Sequence, residues 1–354
     1  MNKFFIKFSK ALLLLSIALA SSCGDKMANG LDDLSNAQTL SLKDSIVLEN
    51  MDILNPHYIY YKDSFLIFNS LQGKKEIQLL NLSSGDVTEY RVIGQGRNEM
   101  QYYHTVNSTC GDMYLFADNR MGKVYGVNLD SLKVNSDIKY DLIYSLPIAE
   151  GNHFYRFMDL PQFTVCVGML KDGRFGIFEK ETSTYCEQME YPENEDIYSL
   201  GYMHKGALFS RTMMASDETG KQMVAACFGL IDFYSVSDDG QLTLRKSNHY
   251  HFPQFEIGTY GPAISFEKKE KVGMTGLCAD ENYVYALYST RTFEDYGERA
   301  YNAPYLLVWN WSGELAKIYN LPVALYGFAI SGNTVYGLSR EESPIVYVFE
   351  LDEN

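Results

Sequence analysis

The chain has 354 residues, with 45 acidic against 30 basic side chains, a formal net charge of −15, and 14% aromatic residues beside only nine prolines. An acidic balance of this size excludes partners held through phosphate neutralisation, nucleic acid above all, and excludes a polybasic contact with anionic lipid. The length and apolar content suit one large all-β domain or two smaller ones.

At the start of the chain, Lys3, Lys7 and Lys10 lead into an apolar run from Ala11 to Ala20, and Ser21 and Ser22 then deliver it to Cys23 and Gly24. The run is about half of the roughly twenty residues a bilayer span requires, so residues 1–22 read as a cleavable secretory signal and not as a permanent helix. This start resembles that of bacterial lipoproteins. The resemblance implies cleavage before Cys23, a diacylglycerol on its thiol and an acyl chain on its new amine. Each buried methylene contributes about 0.8 kcal/mol, and a second chain turns marginal binding into stable anchoring. The expected location is therefore the outer membrane, lipid-anchored, on its periplasmic face or at the cell surface. Residues 23–37 are polar and rich in breakers (Gly30, Asp32, Asp33, Asn36) and read as a flexible tether. The folded domain is expected over 38–354.

One template then recurs at roughly fifty-residue intervals: a β-rich run, a loop, a second β-rich run and a closing turn. Its occurrences are Phe65–Phe68 with Glu76–Leu82, Met113–Phe116 with Val124–Leu129, Phe163–Met169 with Phe175–Phe178, Ala207–Phe209 with Val224–Leu230, Tyr283–Tyr288 with Tyr305–Trp311, and Thr334–Leu338 with Val346–Leu351. The runs carry Val, Ile, Leu, Phe and Tyr in near-continuous or alternating order, which suits strands buried on one or both faces, and no helical periodicity intervenes. Each unit has room for four short strands, the size of a propeller blade. Six units predict a six-bladed β-propeller. The widest gap, between the fourth and fifth units, is expected to hold an outer strand pair and a loop insertion. The last unit is one strand short, and the segment Thr39–Leu48 is the expected donor of the missing strand, because an unpaired edge is a liability that a closed ring removes. A pair of β-sandwiches is the alternative architecture.

The lipoprotein start, the blade template and the segment Val92-Ile93-Gly94-Gln95-Gly96-Arg97-Asn98-Glu99 together resemble the TolB-like six-bladed β-propeller lipoproteins of Bacteroidetes. The resemblance spans essentially the whole mature chain. It implies a propeller fold and no particular activity. Asp25, close behind the lipid cysteine, is similar to signals that send such lipoproteins to the cell surface.

Signals for chemistry are sparse. Gly94 and Gly96 are followed by neither Gly-Lys-Ser/Thr nor a helix, so they suit a crossing between blades and not a phosphate loop. His249 and His251, two apart on a strand, would share a face, yet a zinc site needs a third ligand, and a solvated outer strand is the expected setting. The five cysteines beyond Cys23 (Cys110, Cys166, Cys186, Cys227, Cys278) are odd in number and show no Cys-x-x-Cys spacing, so free thiols are expected, Cys166 and Cys227 among the buried ones. No Gly-x-Ser-x-Gly elbow is present. A calcium ion in the central channel, with Asp118 and Asn119 contributing, is the cofactor alternative to having none, and it would accompany a metal-dependent hydrolase, lactonase or lyase.

The one pattern above background is a set of arginines. Arg120, Arg211, Arg291 and Arg340 follow the second strand of a unit and Arg97 lies in a crossing, positions that share one face of a propeller. Guanidinium groups gathered on an acidic chain suit bidentate recognition of an anion. Tyr296 and Tyr301, in the loop after Arg291, supply flat surfaces for a sugar or peptide side chain. The function these features point to is non-enzymatic binding of an anionic glycan, a peptide or an envelope protein, with a structural scaffold in an envelope complex as a further alternative. Acidic neighbours such as Glu341 are the competing partners for the arginines.

Overall fold

A computed structural model describes residues 31, 34, 36–70, 76–90, 104–105, 107–108, 113–118, 121–134, 141–146 and 153–352. The signal segment, Cys23, Arg97, Cys110, Asn119 and Arg120 lie outside the described residues. Six sheets form a ring, a six-bladed β-propeller. Blade 1 runs outward from Pro56–Lys62 through Phe65–Ser70 and Ile77–Asn81 to Val87–Tyr90. Blade 3 has His153–Asp159 innermost, blade 4 Met213–Ser216, blade 5 Lys271–Ala279 and blade 6 Gly327–Ser331. Blade 2 is built on Met113–Asp118 and Lys123–Asn128.

The strands read as near-continuous apolar runs because each sheet is covered on both faces by its neighbours. Ile67, Leu79 and Tyr90 of blade 1 pack on Tyr114, Phe116 and Val127 of blade 2. Val224, Ile231 and Phe233 of blade 4 pack on Val284, Leu307 and Trp309 of blade 5. Leu66, Phe68 and Leu80 meet Ala329, Leu338 and Val346 and so join blade 1 to blade 6. Burying such a side chain contributes about 1.5–3 kcal/mol, so the cores between blades hold the ring shut.

Closure follows the expectation closely. Ser41–Val47 is the outermost strand of blade 6 and pairs antiparallel with Ile345–Glu350, from Ser41 opposite Glu350 to Val47 opposite Ile345. Just before it, Gln38–Thr39 pairs in parallel with Leu315–Leu325 of blade 5. The N-terminal segment therefore staples two blades.

Two expectations are corrected. Short helices do occur: Glu195–Tyr198 and Tyr202–Leu208 fill the crossing from blade 3 to blade 4, and Phe293–Tyr296 lies in blade 5. In the fourth unit the apolar stretch ending at Phe209 is thus the end of a helix. Gly201 at its start contributes extended backbone, while the Asn194 side chain caps the preceding helix by accepting from Ile197 N at 2.9 Å. Likewise Val224–Leu230 is two strands, Gln222–Cys227 and Gly229–Val236, joined at Phe228, whose φ is 55°. The Phe228 turn docks on blade 5, where Met274 N donates to Phe228 O at 2.7 Å. Gly273 permits this approach: its φ is +81°, and a Cβ there would lie 2.4 Å from the Phe228 carbonyl. The wide gap that follows holds the outer strand Leu242–His251 and a hairpin, Phe255–Ile257 with Ile264–Phe266. No helix among the described residues is long and apolar enough to cross a membrane.

Candidate functional site at the mouth of the channel

Innermost strands of five blades line a central cavity of about 630 Å³. Residues at the strand starts mark one end (His57, Arg211, Tyr326), and Lys62, Glu218 and Ala279 mark the other. Tyr301 stands at the first end too. Loops leading into innermost strands and loops joining second to third strands share this end, which is why Arg211, Arg291 and Arg340 meet there. One correction concerns Arg211. It follows a helix and leads into the innermost strand of blade 4, so it reaches this face through the crossing between blades and not by following a second strand.

Each of these three arginines lies over an aromatic ring. Arg211 Nη1 donates to the Tyr301 hydroxyl, and its Cζ lies 5.2 Å from the Tyr301 ring centroid and 5.6 Å from that of Phe266. Arg340 lies 4.6 Å over Tyr326, donates from Nη2 to Asn55 Oδ1 at 2.7 Å, and reaches His57 Nδ1 at 3.4 Å. Arg291 lies 4.8 Å over Tyr296 and donates to Glu341 at 2.7 Å and to the Arg299 carbonyl at 3.2 Å. Stacking of this kind contributes about 0.5–1 kcal/mol at exposed sites and about 2 where water is excluded.

The three are not equivalent. Arg291 is neutralised by Glu341, the competing partner foreseen from the sequence. No carboxylate among the described residues lies within ion-pair distance of Arg211 or Arg340, whose partners are neutral oxygens, a ring nitrogen and aromatic faces. Tyr301 belongs to the mouth, while half-exposed Tyr296 stands outside the cavity beside Arg291. Burial, and then the Arg340 charge, lower the His57 pKa below its ordinary value. The ring is therefore neutral at pH 7. With Nδ1 facing Arg340, the proton sits on Nε2, which has no hydrogen-bond partner among the described residues.

A further arginine of this kind escaped the sequence pattern. Arg174 comes directly after the Asp172-Gly173 turn that follows the second strand of blade 3, the position that marks Arg291 and Arg340 in their own blades. It is buried between the rings of Phe175 and Phe209, at 5.0 and 5.8 Å, and pairs with Asp232 at 2.5 Å and with the Tyr234 hydroxyl at 3.0 Å. His249 completes the cluster, 2.8 Å from Asp232. Burial alone would raise the Asp232 pKa, but Arg174 and His249 outweigh it and hold the carboxyl at about 2.

This cluster corrects the histidine reading. His249 is buried, not solvated, and the ladder shifts by one residue between Gly229 and Leu230, so His251 lies opposite Gly229 and His249 opposite Leu230. The bulge turns the two rings to opposite faces, His249 toward Asp232 and His251 toward Tyr288. Among the described residues no three histidine, cysteine or acidic side chains gather as a metal set. Glu218 is the one carboxylate in the described cavity lining, which does not suit calcium, an ion that takes six to eight oxygens. Asp118 instead accepts from Met121 N at 3.1 Å. The described cysteines are free: Cys166 and Cys227 are buried, Cys278 is partly so, and Cys186 is exposed.

Fold and site define a six-bladed propeller with an arginine–tyrosine collar around one mouth of its channel. The chain belongs to the TolB-like 6-blade propeller-like family, whose model matches residues 32–333. Among solved structures, the β-propeller domain of Myceliophteria thermophila Cps50 (Swd1) is similar at 12% identity and a TM-score of 0.52, over 88% of this chain and all of that one. A luciferin-regenerating enzyme is similar at 9% identity and a TM-score of 0.48, over 88% of this chain and 98% of that one. No curated protein matches the sequence. At such identities the structural likeness shows the propeller fold alone.

Proposed function

We propose that this protein is an envelope lipoprotein, anchored through acylated Cys23, whose propeller binds an acidic glycan at the collar without transforming it. The reading is carried by one observation: Arg211 and Arg340 stand at the channel mouth of a protein of charge −15, fixed by aromatic faces and with no carboxylate partner among the described residues. A guanidinium held in place by stacking loses little entropy when it takes an anion bidentately. The tyrosines beneath present rigid, partly apolar surfaces at the same mouth, and such rings accept the faces of sugars. Arg291 plays a supporting part, bracing the blade 5 loop against Glu341 of blade 6.

Retention of an acidic polysaccharide, polygalacturonate, against neutral dextran tests the proposal. The unsubstituted protein is expected to retain the acidic polymer alone, and less of it as salt rises. Arg211→Ala with Arg340→Ala is expected to weaken retention about tenfold or more, ~1.4 kcal/mol, with the melting temperature near that of the unsubstituted protein. Equal retention of both polymers, or retention unchanged by the double substitution, would overturn it.

A further inference from the structure

Behind the collar, the cavity carries a pattern of its own. Arg156 lies on the innermost strand of blade 3 and lines the cavity, with no hydrogen bond or ion pair to any described residue. The ladder of that strand shifts between Phe154 and Arg156. A bulge re-aims a side chain, and such irregularities recur beside binding sites. Thr275, on the innermost strand of blade 5, also lines the cavity, and its buried hydroxyl has no partner among the described residues. His57 adds its Nε2–H, without a partner among the described residues, and Lys62 a second cation at the far end.

The lining therefore carries more cations than anions: two arginines and a lysine, beside a neutral imidazole N–H, stand against the single described carboxylate of Glu218. Hydroxyls of Thr275, Ser216 and five tyrosines can donate or accept. Buried donors without acceptors are costly, and a ligand with several acceptor oxygens relieves them together. Between these groups the walls are apolar or aromatic, with Tyr58, Phe157, Met213, Met274 and Phe328. A volume of about 630 Å³ falls within the range that small-molecule sites occupy.

We infer that the central cavity is a binding site for a small carboxylate carried on a six-membered ring, with Arg156 as its ion partner, Thr275 and His57 as hydrogen-bond donors, and the aromatic and methionine walls enclosing the ring. This deepens the collar reading and rests on it only for the route of entry. The ring acid has two possible sources, a free aromatic acid or the uronate unit of a glycan, and both present the same carboxylate chemistry.

Calorimetric titration of the purified chain with benzoate and with glucuronate, beside benzyl alcohol and glucose as neutral counterparts, tests the inference. At least one acid is expected to bind and its neutral counterpart not to; benzoate alone indicates the aromatic source, glucuronate alone the glycan source. Arg156→Met is expected to raise the dissociation constant about tenfold or more, Arg156→Lys less. Should Arg156→Met fail to fold, Thr275→Val, which keeps the side-chain shape, is expected to weaken the same acid by several-fold. Two results would overturn the inference: neither acid binding better than its counterpart, or affinity unaltered in every folded variant. The polygalacturonate assay separates the two claims. Retention that depends on Arg211 and Arg340 while both acids fail would leave the collar reading standing and remove the cavity site.

Discussion

Replacing Asp232 by alanine is expected to cost about 3–5 kcal/mol of stability, the largest effect of any single change considered for this propeller. The substitution strips a wholly buried guanidinium of its one carboxylate. Arg174 is 1% exposed, its Nε and Nη2 already have no hydrogen-bond partner among the described residues, and in the variant it would keep the Tyr234 hydroxyl and the faces of Phe175 and Phe209. Arg174→Met should cost less, because it fills the same space with apolar atoms and leaves Asp232 accepting from His249 at 2.8 Å. The double variant should cost less than the sum of the single ones, since no charge is then stranded. Denaturant midpoints at pH 7 decide among these. Equal losses for the two single variants, adding without interaction, would show that the pair is not energetically coupled. The pH dependence has a definite sign. A carboxyl held at about 2 when folded, against 3.8 as its ordinary value, contributes stability that is complete above pH 4 and is lost as pH falls through 2. Asp232→Ala should flatten that part of the acid profile.

The second large effect concerns closure. The strand Ser41–Val47 is mostly exposed, so its own side chains contribute little, and its anchors are the residues that flank it. Leu40, 2% exposed, sits in the core between blades 5 and 6, and Leu48, fully buried, sits in the core between blades 6 and 1. Each change to alanine is expected to cost about 2–5 kcal/mol. The two together should cost roughly the sum, because the sites lie in different cores. Lys43→Ala, which removes a solvated ion pair with Glu350, should lie within about 1 kcal/mol of the unsubstituted chain. Thermal and urea unfolding would show the contrast. If Leu40→Ala and Leu48→Ala proved as mild as Lys43→Ala, the N-terminal segment would be an ornament and not the clasp of the ring.

Much of the fold was legible for a physical reason. Strands covered on both faces carry apolar residues at most positions, and Phe65–Ser70, Phe163–Met169 and Thr334–Ser339 stand out for that reason. The fourth unit is hidden in the sequence because Leu208 and Phe209, which end a helix under tertiary packing, look locally like the start of a strand, and because the tight turn at Phe228 carries no glycine at its first position. The collar was legible through loop placement: an arginine beside the start of an innermost strand or the end of a second strand lies on the same face of the ring. Arg174 shares that position, marked by the Asp172-Gly173 turn, but its side chain is buried on Asp232 and does not line the mouth. Arg156 and Thr275 could not have been found in this way. They sit within strands, in apolar surroundings, and the register shifts beside them become visible only in the fold.

The channel behind the arginine collar is the proposed ligand site of this propeller. The most direct measurement is anomalous diffraction from crystals of the chain grown with 4-iodobenzoate, which marks the iodine by its own element-specific scattering. The expected result is a peak inside the cavity among Phe157, Met213 and Met274, with the carboxylate on Arg156, absent from crystals of Arg156→Met. Iodine in the cavity of both proteins alike would contradict that proposal, as would iodine found only on the outer surface together with no binding of glucuronate.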